Sequence, residues 1–230
     1  MTRRTSPLHI FLLGAIALGL AAEGRAAEFS IARIYIEYNS TPNDLGFHVS
    51  LDGEDWKSLK IVNPKGKTLF EVAGKVGFKD LGMTELFFEG AEPALDEFPL
   101  QDLLALFPEG NYRFIGTTVD GERLESVSRL THAVPDGPLV SSEVGNDKII
   151  IKWDRVTGPP RNFPVRDIEI VGYQVIVEEF QVTLPASATS VTVPEEFARS
   201  LEPGVHLFEV LAIDASGNQT IKEGSFNKNE

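Results

Sequence analysis

The sequence contains no cysteine, only four histidines, and far less positive than negative charge. Without cysteine the chain can form no disulfide, offers no thiol nucleophile and carries no lipid-modified N-terminal cysteine. Its stability must come from burial. The histidines, His9, His48, His132 and His206, show no His-Glu-x-x-His or other ligand spacing, so no metal site and no cofactor is assigned. A Gly-x-Ser-x-Gly elbow is also absent, and no catalytic residue is assigned. With 21 Lys and Arg against 34 Asp and Glu, the formal charge is −13. Such an acidic chain repels nucleic acid and anionic membrane, and neither is expected as a partner.

Long apolar runs are lacking too, with one exception near the start. Arg3 and Arg4 precede an apolar stretch of about 13 residues, Leu8 to Leu20, and small residues follow up to Ala26. This is the layout of a secretory signal peptide over residues 1–26, too short to span a bilayer. Cleavage after Ala26 removes Arg3, Arg4, Arg25 and Glu23, taking the formal charge from −13 to −15. The expectation is a bacterial periplasmic or secreted protein with no stable membrane span once the leader is gone.

The rest of the chain is rich in short alternating segments such as FSIARIYIEY, GFHVSL, TLFEVAG, NYRFIGTTV, KIIIKW, YQVIVEEF and HLFEVLAI, bounded by Gly, Pro, Asn and Asp. This pattern predicts strands, and without helices alternating between them it predicts an all-β sandwich rather than a parallel α/β sheet. Two segments differ: PLQDLLALFPEG and PEEFARSLEPG each open on proline, carry helix-compatible residues and stop at Pro and Gly. A strand and a turn follow each. Tyr112 and His206, Phe114 and Phe208, Val119 and Ile213, and Asp120 and Asp214 are all 94 residues apart. That spacing fits a duplicated sandwich unit. The expected organisation is a leader (1–26), an N-terminal β-sandwich (27–134) and a second sandwich (135–230). Each sandwich has a short helical turn before its penultimate strand.

The second unit resembles a fibronectin type III domain, a module of the immunoglobulin-like group. The likeness rests on Pro135 and Pro138 at the entry, Trp153 closing KIIIKW, Tyr173 in GYQVIV, the segment TSVTVP, and LEPGVHLFEVLAIDASGN. His206 stands where the family usually has tyrosine. The resemblance implies that its imidazole clamps the preceding loop as the tyrosine hydroxyl would; in the first unit Tyr112 keeps the usual residue. It also implies a non-enzymatic role in adhesion, spacing, or protein and carbohydrate recognition, and it places Trp153, Tyr173, Phe208 and Val210 in the core.

The loop DRVTGPPRNFPVRD concentrates three arginines in an acidic protein, stiffens them with prolines and adds an apolar anchor. By the resemblance it lies at the same end of its sandwich as the turn from Asp214 to Gln219. Arg155, Arg161, Phe163, Arg166, Asp214 and Asn218 are therefore the candidate partner-binding residues, for a protein or carbohydrate of the cell envelope. The competing expectation is that the loop packs on its own or the neighbouring unit. Two acidic clusters, Asp44, Asp52, Glu54 and Asp55, and Glu85, Glu89, Glu92, Asp96 and Glu97, leave open a calcium-stabilised structural or adhesive protein. A glycan-acting hydrolase, or its accessory domain, is the remaining alternative. His48 is expected to point outward from its strand, and Phe87, Phe88 and Phe98 to lie in a core or contact region.

Overall fold

A computed structural model describes residues 26–145 and 148–229; the leader, apart from Ala26, lies outside the described residues. Among the described residues no helix is long and apolar enough to cross a membrane. The chain is all-β. Its first half runs β1 (Ile31–Asn39), β2 (Asp44–Val62), β3 (Thr68–Ala73), α1 (Gly77–Leu81), β4 (Met83–Glu89), α2 (Leu100–Leu106), β5 (Gly110–Thr118) and β6 (Arg123–Leu130). The second half runs β7 (Val140–Val144), β8 (Ile149–Trp153), β9 (Ile170–Val177), β10 (Phe180–Pro185), β11 (Ser190–Thr192), α3 (Glu195–Ser200), β12 (Gly204–Asp214) and β13 (Gln219–Lys228). As the sequence predicts, α2 and α3 each precede the last two strands of their half.

In the first half the 19-residue β2 organises everything. Its early part pairs with β1 and β4, its later part with β5 and β3, and the register shifts on either side of Trp56. Such irregularities bend a strand, so both parts of β2 contribute to one interior. Ile34, Ile36, Leu45, Leu51, Trp56, Leu59, Tyr112, Phe114 and Leu124 fill it. The segment before β1 returns to β6: Ala27 bridges Leu124, and the Phe29 and Ile34 amides donate to Ser126 and Ser128.

The second half is a two-layer sandwich. Strands β10, β9, β12 and β13 face the small sheet β11-β8-β7. Between the layers lie Ile151, Trp153, Tyr173, Val175, Val193, Phe208, Val210 and Phe226. Trp153, Tyr173, Phe208 and Val210 are all nearly fully buried, where the sequence places them.

The halves are not two separate sheets. β13 pairs in parallel with β1, Glu37 opposite Gln219, Tyr38 opposite Thr220 and Asn39 opposite Ile221, giving one continuous order β10-β9-β12-β13-β1-β2-β5-β6.

Candidate functional site

The junction between the halves brings together most of the residues that the sequence singles out. Asn218, at the entry to β13, is 1% exposed. Its Oδ1 accepts the Ile36 amide at 2.8 Å, and its Nδ2 donates to the Thr131 and Ala133 carbonyls at 2.9 and 3.0 Å. The side-chain amide thus acts as one more rung of the β1–β13 ladder. It also ties the connecting segment to it. Thr220, wholly buried, donates to the Pro135 carbonyl, while the Ser40 hydroxyl and amide both bond the Ile221 carbonyl. The connection is therefore wedged against the splice; Ala133, Val134 and Pro135 are buried.

Asp214 is buried as well. Its Oδ2 accepts the Glu169 amide and its Oδ1 the Ser216 amide, both at 2.8 Å, so the carboxylate shapes its own turn and anchors the end of the arginine loop. Asp214 and Asn218 were expected to face a partner; instead their polar atoms are consumed inside the protein. The physical reason is that their turn is inserted into the junction, where buried carboxylate and amide groups are costly unless they find internal partners.

Phe163 departs from expectation in the same direction. It belongs to the first half's core, with its ring 4.7 Å from that of Tyr38. Arg166 binds Glu109 in a two-pronged contact, with its Nη2 3.1 Å from Oε2. That guanidinium, together with the His132 amide, holds the Glu109 carboxyl below the usual carboxylate range against the opposing effect of burial. The arginine loop is a strap laid across the neighbouring half. Arg155, exposed, donates to the Ser187 carbonyl within its own half. Arg161 stays exposed, on the wall of a cleft of about 590 Å³ that also presents Tyr38, Asp96, Asp136 and Lys222. On the far side of Phe163 a second hollow of about 510 Å³ is lined by Leu100, Leu104, Pro108, His132 and Pro164.

A second polar cluster lies on the other face of β1 and β2, and sequence reasoning missed it. His48 is 3% exposed rather than outward-facing. It sits opposite Tyr35 on β1 and Glu89 on β4, its ring stacked at 5.1 Å on Tyr35. The segment after β4 brings Glu92 over this face. His48 Nε2 lies 3.3 Å from Glu92 Oε1 and 3.7 Å from Glu37 Oε1, and Nδ1 lies 3.8 Å from Glu89 Oε2 without a hydrogen bond. Asn39 Nδ2 joins Asp44 to Glu92, so members of both acidic clusters converge. Burial, with the neighbouring Glu37 and Asp44, pushes the Glu92 carboxyl above its usual range, opposed by the contact with His48. Strand alternation puts Tyr35 and Glu37 on one face; that was the available signal. Phe88 packs on the core against Phe70, Phe98 lies at the border of exposure, and Phe87 is largely exposed.

No family model and no curated protein matches the sequence. Several solved structures show a partial likeness. The spore cortex lytic enzyme of Clostridium perfringens is 17% identical over 41% of this chain and 28% of its own, with a TM-score of 0.33. The PKD1 domain of a Vibrio cholerae metalloprotease is 11% identical over 42% of this chain and 99% of its own, at 0.30. A two-domain fibronectin type III segment of chicken tenascin is 13% identical over 87% of this chain and 99% of its own, at 0.29. The chain thus spans under a third of the lytic enzyme's length.

Proposed function

We propose that the protein is an exported, non-enzymatic binding or spacer protein built from immunoglobulin-like β-sandwich modules, which recognises a protein or glycan of the cell envelope. The observation that carries this reading is the β1–β13 splice: one sheet runs through both halves, and the connection between them is buried rather than free. A spacer works by fixing distance and orientation, and a strand ladder sealed by Asn218, with Phe163 of the strap packed on Tyr38 beside it, does both. Binding is then assigned to the cleft beside the strap. There Arg161 and Lys222 supply cations and Asp96 and Asp136 supply acceptors, over a floor that the buried Tyr38 and Phe163 hold in place. Arginine side chains are enriched at recognition hot spots, and a rigid wall lowers the ordering cost of binding.

The test is capture of envelope proteins and soluble glycans by the wild type and by Arg161→Glu/Lys222→Glu. Loss of a captured partner in the folded double variant supports recognition at the cleft. Identical capture by both proteins, or none by either, contradicts it.

A further inference from the structure

We propose that Glu37, His48 and Glu92 form a binding site for a transition-metal dication of the zinc class. Nothing in this inference depends on what the cleft binds.

The geometry is close to that of a bound set. One ligand atom from each of the three residues lies within 4.8 Å of the other two. Zinc bonds to nitrogen and oxygen are about 2.0–2.2 Å, so the edges of its tetrahedron are roughly 3.3–3.6 Å. Of the separations from His48 Nε2, the 3.3 Å to Glu92 Oε1 falls on those edges and the 3.7 Å to Glu37 Oε1 lies just beyond them. A small carboxylate rotation completes the three-ligand face and leaves a fourth position for water.

The surroundings aim these atoms. Glu37 Oε2 accepts from Gln219 Nε2, and Glu92 Oε2 accepts from Asn39 Nδ2, so in both carboxylates the outer oxygen is held and Oε1 faces the imidazole. Ligating histidines commonly give their second ring N–H to a carboxylate. His48 Nδ1 is buried and unbonded, and Glu89 Oε2 is the nearest carboxylate to it, at 3.8 Å. Gly46 leaves the space that Glu92 occupies: a Cβ there would fall 2.6 Å from Glu92 Oε1.

Charge supports a cation. Glu37, Glu89 and Glu92 surround His48, with Asp44 joined to Glu92 through Asn39. One imidazolium offsets a single one of these charges, whereas a dication offsets two. The buried imidazole favours zinc or a neighbouring transition metal over calcium, which takes six to eight oxygens. Because Glu37 faces Gln219 across the β1–β13 ladder, the metal would also brace the splice.

The test uses EDTA-stripped protein titrated with zinc by calorimetry, and with cobalt(II) by its visible absorption, with calcium as the contrast. The expected result is about one zinc per chain, an absorption band typical of low-coordinate cobalt(II), and no displacement by millimolar calcium. Glu92→Gln and Gly46→Ala should each weaken zinc binding at least about tenfold, on the scale of lost or misdirected ligands. The melting temperature of metal-free Glu92→Gln, compared with metal-free wild type, separates a ligand defect from a folding defect. Absence of zinc binding by the wild type, or unchanged affinity in a folded Glu92→Gln, overturns the proposal.

Discussion

Tyr112 and His206, 94 residues apart, make the same bond: each donates to the carbonyl four residues before it, Pro108 at 3.0 Å and Glu202 at 2.8 Å. Each is preceded by a glycine with φ in the positive range, Gly110 at 138° and Gly204 at 144°, so the corner that a hydroxyl closes in the first half an imidazole closes in the second. The substitution brings a proton with it. His206 Nε2 donates to a carbonyl and Nδ1 faces Glu178 Oε1 at 3.1 Å, an arrangement that asks for both ring nitrogens to be protonated.

The bond to Glu202 and the Glu178 carboxylate raise the His206 pKa above its usual 6.5, against a smaller opposing effect of burial. A raised histidine pKa adds stability in full below the unfolded value, and that stability is lost as pH climbs through the folded value. The corner should therefore weaken from about pH 6.5 upward. His206→Tyr, whose hydroxyl does not titrate there, should show a shallower fall in Tm between about pH 6 and 9. Equal slopes in the two proteins would count against the imidazolium corner.

Asn218→Ala should be costly, because it leaves the Ile36 amide and the Ala133 carbonyl buried and unpaired. Each group stranded in this way costs about 1–3 kcal/mol. Ser216→Ala, in the same turn, removes a hydroxyl that has no hydrogen-bond partner and serves as the control. Urea unfolding should separate the two variants clearly; similar midpoints would mean that the amide is not part of the ladder.

Phe163→Ala should release the strap. Removing a buried phenylalanine costs about 3–5 kcal/mol when the site cannot collapse, and the freed backbone at the already exposed Arg161 and Arg166 should then be cut faster by trypsin. Arg166→Ala should change stability little at neutral pH, since both partners of its ion pair are exposed. Glu109 has a lowered pKa, so its contribution is present above the usual 4.5 and is lost as pH falls through the lower folded value. Trypsin resistance of Phe163→Ala at positions 161 and 166 would show that the loop is held by something else.

Gly137→Ala should loosen the connection without touching either core. A Cβ at this position would collide with Ser40 Oγ, the atom that donates to the Ile221 carbonyl. Overpacking of this kind costs about 1–3 kcal/mol. Faster hydrogen exchange at the Ser40 amide is the expected readout, and an unchanged rate would contradict the close approach.

The strands, the helical turns and the corners were legible in the sequence because each is written locally. Alternation marks KIIIKW and YQVIV, and proline followed by proline and glycine brackets α2 and α3. The splice has no such mark: a three-residue parallel pairing between distant segments depends on where two sheet edges meet. Each misreading likewise comes from contacts between segments far apart in the sequence. Asp214 and Asn218 have the composition of an exposed turn and become internal because that turn enters the junction. Phe163 reads as a surface anchor and finds its pocket within the same chain. His48 reads as outward from alternation, yet β2 is flanked by β1 and β4 and covered by the segment carrying Glu92.

The most direct test of the spliced sheet is the distance between the halves in solution. The absence of cysteine makes Lys67→Cys/Glu179→Cys, at two exposed positions, a clean spin-labelled pair for pulsed electron resonance. A single narrow distance distribution, broadened by Asn218→Ala, is the expected result for two halves held by one sheet. A broad distribution in the otherwise unaltered protein would show that the halves move independently and would contradict the rigid spacer.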